Sequence, residues 1–559
     1  MIRLSLVLLL AAAPLAAKAP AAPQAMVSSA DVRATEAGLA MLRQGGSAAD
    51  AAAATLLALT VVEPQSSGIG GGGFLVYQPA RGKLATFDGR ETAPAAATEA
   101  LFLGPDGKVQ PRREAVPGGK SVGVPGNIAM LALAHAKYGK LPWRALFAPA
   151  IALARDGFVV SPRLARSIAN SAAVLGRQPA AAALFLDGGA PRAAGSRIVN
   201  TALAATLERI AATGPAAFYT GDNAQALVAA VTGAPSNPST MTLADLRDYR
   251  AKPRDAVCAK YRVWRVCSMG PPSAGGTAVL AILGQLQGFD LARLGPSPAA
   301  WHLFVESQRL AFADRAAYGG DGDFVSVPIA GLIAPDYLAR RGRLISATAT
   351  MATSLPGQPK GAVPRAVAQA SEIPSTSHFA AADARGNVAS LTSTVEGPFG
   401  SGLIAGGYIL NNELTDFSFL PSAGGTLLAN RVQGGKRPRS SMSPSIVYDA
   451  RGRVVLAIGA AGGQTIPAQV AKAIIAVLDW KLPVGEAIAL PLVYASDDLL
   501  IAEDGPQGIA LTAMIPALEA LGHRTARSAL PLKANGIERI GAGWRGGVDP
   551  RSEGVAAGL

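Results

Sequence analysis

The residues with the clearest chemical potential are Ser375-Thr376-Ser377-His378, where a loop rich in Ala, Pro, Gln and Ser (Leu355 to Pro374) meets a run of short strands. A Thr hydroxyl is a weak nucleophile until a base takes its proton. A Thr at a chain terminus carries that base itself, an α-amine with an ordinary pKa of about 7.7–8.0, and this arrangement activates the hydroxyl. For Thr376 it requires a backbone cut after Ser375. Four further clusters offer matching chemistry. Arg90, in a loop after a strand, suits a fork-like pair with a substrate carboxylate. Glu413 and Asp416 supply negative charge for an ammonium group, and Ser440-Ser441 supply two neighbouring hydroxyls. Gly462-Gly463 precede a helix, where backbone amides can face a developing oxyanion. One cation, two carboxylates and two hydroxyls make a receptor for the α-amino and α-carboxyl groups of an amino acid.

The elements that must hold these groups are read from periodicity and caps. Ser29 reads as the N-cap of a helix from Ala30 to Gln44, closed by Gly45-Gly46. Ser47 reads as the cap of an Ala-rich helix to about Thr60, apolar nearly all round and therefore expected to be buried against a sheet. The run Glu63 to Gly73 carries five glycines, which implies close backbone approach or unusual dihedrals. It lacks a Gly-Lys-Ser/Thr ending and follows a helix, which argues against a phosphate loop. A hairpin follows, Phe74 to Tyr77 with Leu84 to Phe87. Helical patterns occupy Val122 to Phe158, Asn200 to Ala212, the stretch after Thr242 with Asp245 as a partial capping box, Ser273 to Leu286 and Ala299 to Ala317. Beyond Thr376 strands take over. The turn Asp383-Ala384-Arg385-Gly386 is echoed at Asp449-Ala450-Arg451-Gly452, each between apolar strands, and a further strand is expected near Ile537 to Ile540. Helices at Pro467 to Trp480 and Leu511 to Leu521 could cover the sheet. Helices around largely antiparallel sheets give an α+β fold in a layered αββα arrangement.

Composition narrows the function classes. The 559 residues carry a formal charge of +13, but it is dispersed and forms no nucleic-acid-binding tail. Four His and two Cys are scattered without metal-ligand spacing, so neither a metal nor another cofactor is expected. Met1-Ile2-Arg3, the apolar stretch from Leu4 and Ala17-Lys18-Ala19 read as an export signal ending at about residue 25. No later segment is apolar enough to span a bilayer, which predicts a soluble periplasmic or secreted protein. Export would permit a disulfide between Cys258 and Cys267, although Arg262-Val263 is an unusual pair for the tight turn that would place them opposite each other.

Taken together, the Glu63 to Phe74 glycine run, Gly89-Arg90-Glu91, Gly123-Val124-Pro125-Gly126, Met269 to Gly276, Thr376-Ser377-His378, Asn411 to Phe417, Arg437 to Pro444 and Gly462-Gly463 resemble the γ-glutamyltransferases of the N-terminal-nucleophile hydrolase superfamily. The resemblance runs from about Met26 to Asp549-Pro550-Arg551. It implies a four-layer αββα sandwich with extra helices, and a precursor that cuts itself into a large subunit (26–375) and a small subunit (376–559) that stay together as one catalytic unit. It implies that Thr376 attacks the γ-amide of glutathione or another γ-glutamyl compound, forming an ester resolved by water, an amino acid or a peptide. Arg90, Ser440 and Ser441 would bind the α-carboxylate, Glu413 and Asp416 the α-ammonium. Gly462 and Gly463 would form the oxyanion hole, and Thr394 would assist processing. One position departs from the family pattern: Glu396 stands where Asn is usual, beside the substrate's amino end. A third carboxylate there could strengthen ammonium binding, sit protonated, or change the acyl preference. The lid region between Phe417 and Lys436 has no aromatic beyond Phe419, leaving the balance of hydrolysis over transfer open. The alternatives are an acylase on the same scaffold, acting on cephalosporin, glutaryl or poly-γ-glutamate substrates, and a non-catalytic γ-glutamyl-binding protein.

Overall fold

The computed structural model describes residues 22–367 and 375–559. The export signal up to residue 21, with its Ala17-Lys18-Ala19 site, lies outside the described residues, as does the end of the linker before Ser375.

The frame is two stacked antiparallel sheets whose strands come from both ends of the chain. Before the linker lie β1 (Met26–Ser29), α1 (Val32–Arg43), α2 (Ala48–Val62), β2 (Gly72–Gln78), β3 (Ala85–Asp88), β4 (Lys252–Arg254), β5 (Val257–Tyr261), β6 (Trp264–Ser268), α3 (Gly275–Gln285) and α4 (Pro298–Tyr318). After it come β7 (Thr376–Ala382), β8 (Val388–Thr394), β9 (Ser445–Tyr448), β10 (Val454–Ala461), α5 (Ile466–Leu478), β11 (Lys533–Ile540), β12 (Gly543–Val548) and β13 (Val555–Gly558). The first sheet runs β13-β1-β7-β8-β2-β3-β4 and the second β12-β11-β10-β9-β6-β5. Further helices, among them Asn127–Tyr138, Pro162–Leu175, Thr201–Thr213 and Gly221–Thr232, and short hairpins fill the connections.

Alternation along β7 divides the interior. Phe379 and Ala381 point into a core shared with α1 and α2. Ala380 and Ala382 point the other way, against Ile446, Ile458 and, beyond them, α3 and α5. Small residues let the layers close together: α2 is buried on every face, as its continuous apolar pattern requires. Helices on both outer faces complete the αββα arrangement.

Several boundaries differ from the sequence expectation. Ser29 ends β1 instead of capping a helix, and Asp31 caps α1 by accepting from the Arg33 amide. Strand pairing of Met26–Ser29 with β7 and β13 outcompetes the local cap signal. Ser47 and Asp50 form a full capping box on α2. The helix expected at Leu511 to Leu521 is two short pieces, Ile509–Thr512 and Ile515–Ala520, with Pro516 in the first turn of the second. Arg262 adopts a left-handed φ of 52°, which closes the β5–β6 hairpin despite its unfavourable sequence. Cys258 and Cys267 therefore pair directly across the strands and are bonded to each other.

Candidate active site

Thr376 opens β7 and faces Thr394, the last residue of β8, in register. The chain is uncut here. Thr376 Oγ1 lies 2.7 Å from the carbonyl oxygen of Ser375, the bond expected to break. Thr394 Oγ1 donates to the same oxygen at 2.7 Å and stands 3.3 Å from Thr376 Oγ1. The amide of Glu396 donates to Thr394 Oγ1 at 2.8 Å, fixing the orientation of that hydroxyl. Two threonine hydroxyls thus converge on one carbonyl oxygen. His378 takes no part: it is buried between the sheets, hydrogen-bonded to Thr392, and burial pushes its imidazole down to about 3.

Above Thr376 is a cavity of about 20 Å³ lined by Arg90, Thr394, Glu396, Glu413, Asp416, Ser440, Ser441, Met442, Gly463 and Ile466. Nine of the ten residues singled out in the sequence therefore meet at one point. The tenth, Gly462, lies directly behind, with a left-handed φ of 127° and its α-carbon close against the Pro531 carbonyl. Space for roughly one water molecule remains in the uncut chain.

The glycine run, the Gly123-Val124-Pro125-Gly126 loop and Asn411 form one clamp that sets Glu413. The Asn411 side chain donates to the carbonyls of Gly70 and Gly123 (2.8 and 2.9 Å) and accepts from the amides of Gly123 and Glu413 (2.9 and 3.0 Å). Close approach, not left-handed backbone, is what the glycines provide: a Cβ on Gly70 would sit 2.0 Å from the Ile409 carbonyl oxygen, and one on Gly71 1.9 Å from that of Thr394.

The charged groups are arranged differently from the expectation of an open receptor. Arg90 is not presented as a free fork. Its guanidinium pairs with Glu413 and, at 2.6 Å, with Asp416, and it donates to the carbonyls of Pro438 and Arg439. Within this buried site the cation and the anions compensate one another, because an unpaired buried charge is very costly. Burial alone would lower the Arg90 pKa, but Glu413, Asp416 and Glu91 outweigh it and raise it further.

Glu396 is not simply a third carboxylate added to the ammonium site. It pairs with Arg112 at 2.7 Å and accepts from Asn412. Arg112 also donates to the Thr415 carbonyl at 2.8 Å and stands 4.0 Å from Asp416. Ser441 receives a hydrogen bond of 2.7 Å from Arg315 on α4. Sequence reasoning missed both arginines, since each sits in an unremarkable helical stretch far from its partner. The basic run Lys436 to Arg439 proves internal: Lys436 donates to the Ala429 and Arg431 carbonyls, and Arg437 approaches Asp88 at 3.2 Å. In the lid region Phe419 stacks on Phe102, with ring centroids 4.3 Å apart. Among the described residues no cluster of three His, Cys, Asp or Glu side chains could hold a metal ion.

The family model described as gamma-glutamyltranspeptidase matches residues 34–559. The chain is 35% identical to a glutathione hydrolase proenzyme of Bacillus subtilis (strain 168), over 96% of this chain and 91% of the relative. It is 36% identical to the acylase ACY 1 proenzyme of Pseudomonas sp. (strain SE83), over 91% and 88%. Among solved structures it superposes on a cephalosporin acylase from Bacillus halodurans with a TM-score of 0.83 and 26% identity, covering 98% of each chain. With the family model spanning nearly the whole sequence and the fold shared, the chain belongs to the γ-glutamyltranspeptidase family and is an enzyme of the N-terminal-nucleophile hydrolase type.

Proposed function

We propose that this protein is a self-processing γ-glutamyltransferase and glutathione hydrolase whose nucleophile is Thr376. The observation that carries the reading is the convergence of Thr376 and Thr394 hydroxyls on the Ser375 carbonyl, directly beneath a pocket with one cation, paired carboxylates and paired serines. In the first reaction Thr376 Oγ1 attacks the Ser375 carbonyl carbon while Thr394 stabilises the oxyanion. The amide nitrogen takes a proton and leaves, and water hydrolyses the resulting ester. The products are a Ser375 carboxylate and a free Thr376 amine.

That amine then serves as base in the second reaction. The donor's α-carboxylate displaces the carboxylates from Arg90 and reaches Ser440 and Ser441, while its α-ammonium takes the freed Glu413 and Asp416. Exchanging internal ion pairs for substrate pairs keeps every buried charge compensated. Thr376 attacks the γ-carbonyl, and the amides of Gly462 and Gly463 receive the oxyanion. The amine returns its proton to the leaving nitrogen, giving a γ-glutamyl ester resolved by water or by an amino-acid or peptide acceptor.

A second reading, acylase activity on glutaryl compounds, draws support from Arg112, which brings a cation to the amino-end side of the pocket, and from the acylase relatives. The test is a donor panel of glutathione, γ-glutamyl anilide and glutaryl amide, each with and without a dipeptide. Turnover of the first two is expected; turnover of the glutaryl amide alone would replace the leading reading with the second. A periplasmic or secreted location rests on the leader-like start of the chain and is compatible with the disulfide; cell fractionation tests it.

A further inference from the structure

Glu91, next to Arg90 in the chain, has no part in the chemistry above, yet it is wholly buried at the back of the site. The backbone is shaped around it: a Cβ on Gly72 would stand 2.4 Å from Glu91 Oε2, and one on Gly123 2.8 Å from its Cβ. Apart from a glancing contact with its own amide, neither carboxyl oxygen has a hydrogen-bond donor among the described residues. The Arg90 guanidinium stands 4.0 Å away and is engaged with Glu413 and Asp416. Glu91 and Glu413 nevertheless share one neighbour, the Nη1 of Arg90, and the Oε2 of Glu413 likewise has no donor among the described residues. Two buried carboxyl groups beside one guanidinium nitrogen crowd like charge together, which a proton held between them relieves.

The charge balance points the same way. Arg90 and Arg112 face four carboxylates, those of Glu91, Glu396, Glu413 and Asp416. The remaining titratable groups turned towards Glu91 are the phenols of Tyr219 and Tyr249. Burial raises both pKa values, so they stay neutral, and they donate to the Pro125 and Arg90 carbonyls. Burial also pushes Glu91 up to about 7 against the pull of Arg90, and pushes Glu413 up as well.

We propose that Glu91 is a positioning residue for donor recognition, sharing one proton with Glu413 in the empty site and releasing it when a substrate ammonium docks on Glu413 and Asp416. The carboxyl O–H bond breaks, its proton passes to the buffer, and the ammonium N–H takes its place as donor to Glu413. The docking step rests on the γ-glutamyl reading; the shared proton does not.

Glu91→Gln tests both, because an amide keeps a donor facing Glu413 but cannot ionise. An acid whose folded pKa lies above its unfolded value of about 4.3 gives stability at low pH that is lost as pH rises through the folded value. Without ligand, the Tm of the wild type should therefore fall relative to Glu91→Gln between about pH 5 and pH 8. The infrared spectrum of the wild type alone should lose a protonated-carboxyl band over the same range, which covers the case of a variant that does not fold. Calorimetry with glutamate near pH 6.5, in two buffers of different ionisation heat, should show release of up to about one proton in the wild type and none in Glu91→Gln. A parallel Tm difference, or no such infrared band, overturns the shared proton. A pH-dependent Tm difference with no glutamate binding and no γ-glutamyl turnover would overturn the substrate reading and the docking step together.

Discussion

Glu396 holds a left-handed backbone conformation, with φ at 75°. For a residue other than Gly this costs of order 1–3 kcal/mol, and Asn tolerates it better than Glu. The family's usual Asn would relieve the strain but would cost Arg112 its nearest carboxylate, leaving it the Thr415 carbonyl and the more distant Asp416. The two residues should therefore behave as a unit. Arg112→Ala and Glu396→Asn are each expected to raise the KM for a γ-glutamyl anilide, and the double variant to lose less than their sum, with a coupling of about 1–3 kcal/mol. Additive effects in that cycle would mean that the pair has no joint role. Thr394 makes a sharper prediction. If its hydroxyl stabilises the oxyanion during processing, Thr394→Val should slow the appearance of two bands on a denaturing gel by about 10²–10³-fold. Thr376→Ala should abolish them, and cleavage after Ser375 in that variant would rule out the nucleophile.

The glycine run acts through the space it leaves. Gly71 lets the loop after α2 lie against the Thr394 carbonyl at the end of β8, where a Cβ would stand 1.9 Å from that oxygen. Gly71→Ala must displace the strand end that carries Thr394, and several kcal/mol of destabilisation with loss of self-cleavage are expected. Gly288→Ala is the control, with nothing near the new methyl. On the other side of β7, Lys533 of β11 reaches Glu63 at the end of α2 at 2.9 Å, and Ser377 donates to the same carboxylate at 2.6 Å. This buried pair ties both sheets to the residue that follows the nucleophile. Lys533→Ala leaves Glu63 with only the more distant Arg163, at 3.6 Å, as a cationic partner and should cost up to about 3–5 kcal/mol in denaturant unfolding. Burial alone would raise Glu63, but Lys533 and Arg163 hold it below the ordinary carboxylate value. Its stabilisation is thus complete above about pH 4.3 and is lost as pH falls towards the lower folded value. An acid-unfolding midpoint unmoved in Glu63→Gln would contradict that.

For the molecule as a whole, the uncut chain has the parts of an active site but no room in it. Ser375 lies buried beside the nucleophile, and about 20 Å³ remains above Thr376. Cleavage is therefore expected to create the binding site as well as the catalytic base. Calorimetry should detect glutamate binding to the processed enzyme and much weaker binding to the Thr376→Ala precursor. Equal affinities would show that the cut does not open the pocket. The positive charge of the chain is likewise partly an interior matter, since Arg90, Arg437 and Arg439 are buried among carboxylates and carbonyls.

Much of this was legible in the linear order of residues. The loop-to-strand junction at Thr376, the two Asp-Ala-Arg-Gly hairpins, the Ser47 cap and the glycine density of Glu63 to Gly73 are local signals, set by dihedral preference, alternation and capping within a few residues of each other. The site list was legible too, through the resemblance of its motifs. Partnership was not. Arg112 finds Glu396 across 284 positions, and Arg315 finds Ser441 across 126. The closure of Arg90 on Glu413 and Asp416, and the burial of Glu91 against Glu413, depend on which charges are excluded from water together. Residue types and short spacings set the proposed nucleophile, the hairpins and the pool of charged groups. Only the stacking of the two sheets decided which charges neutralise which, because desolvation acts on three-dimensional neighbours and leaves no trace in sequence spacing.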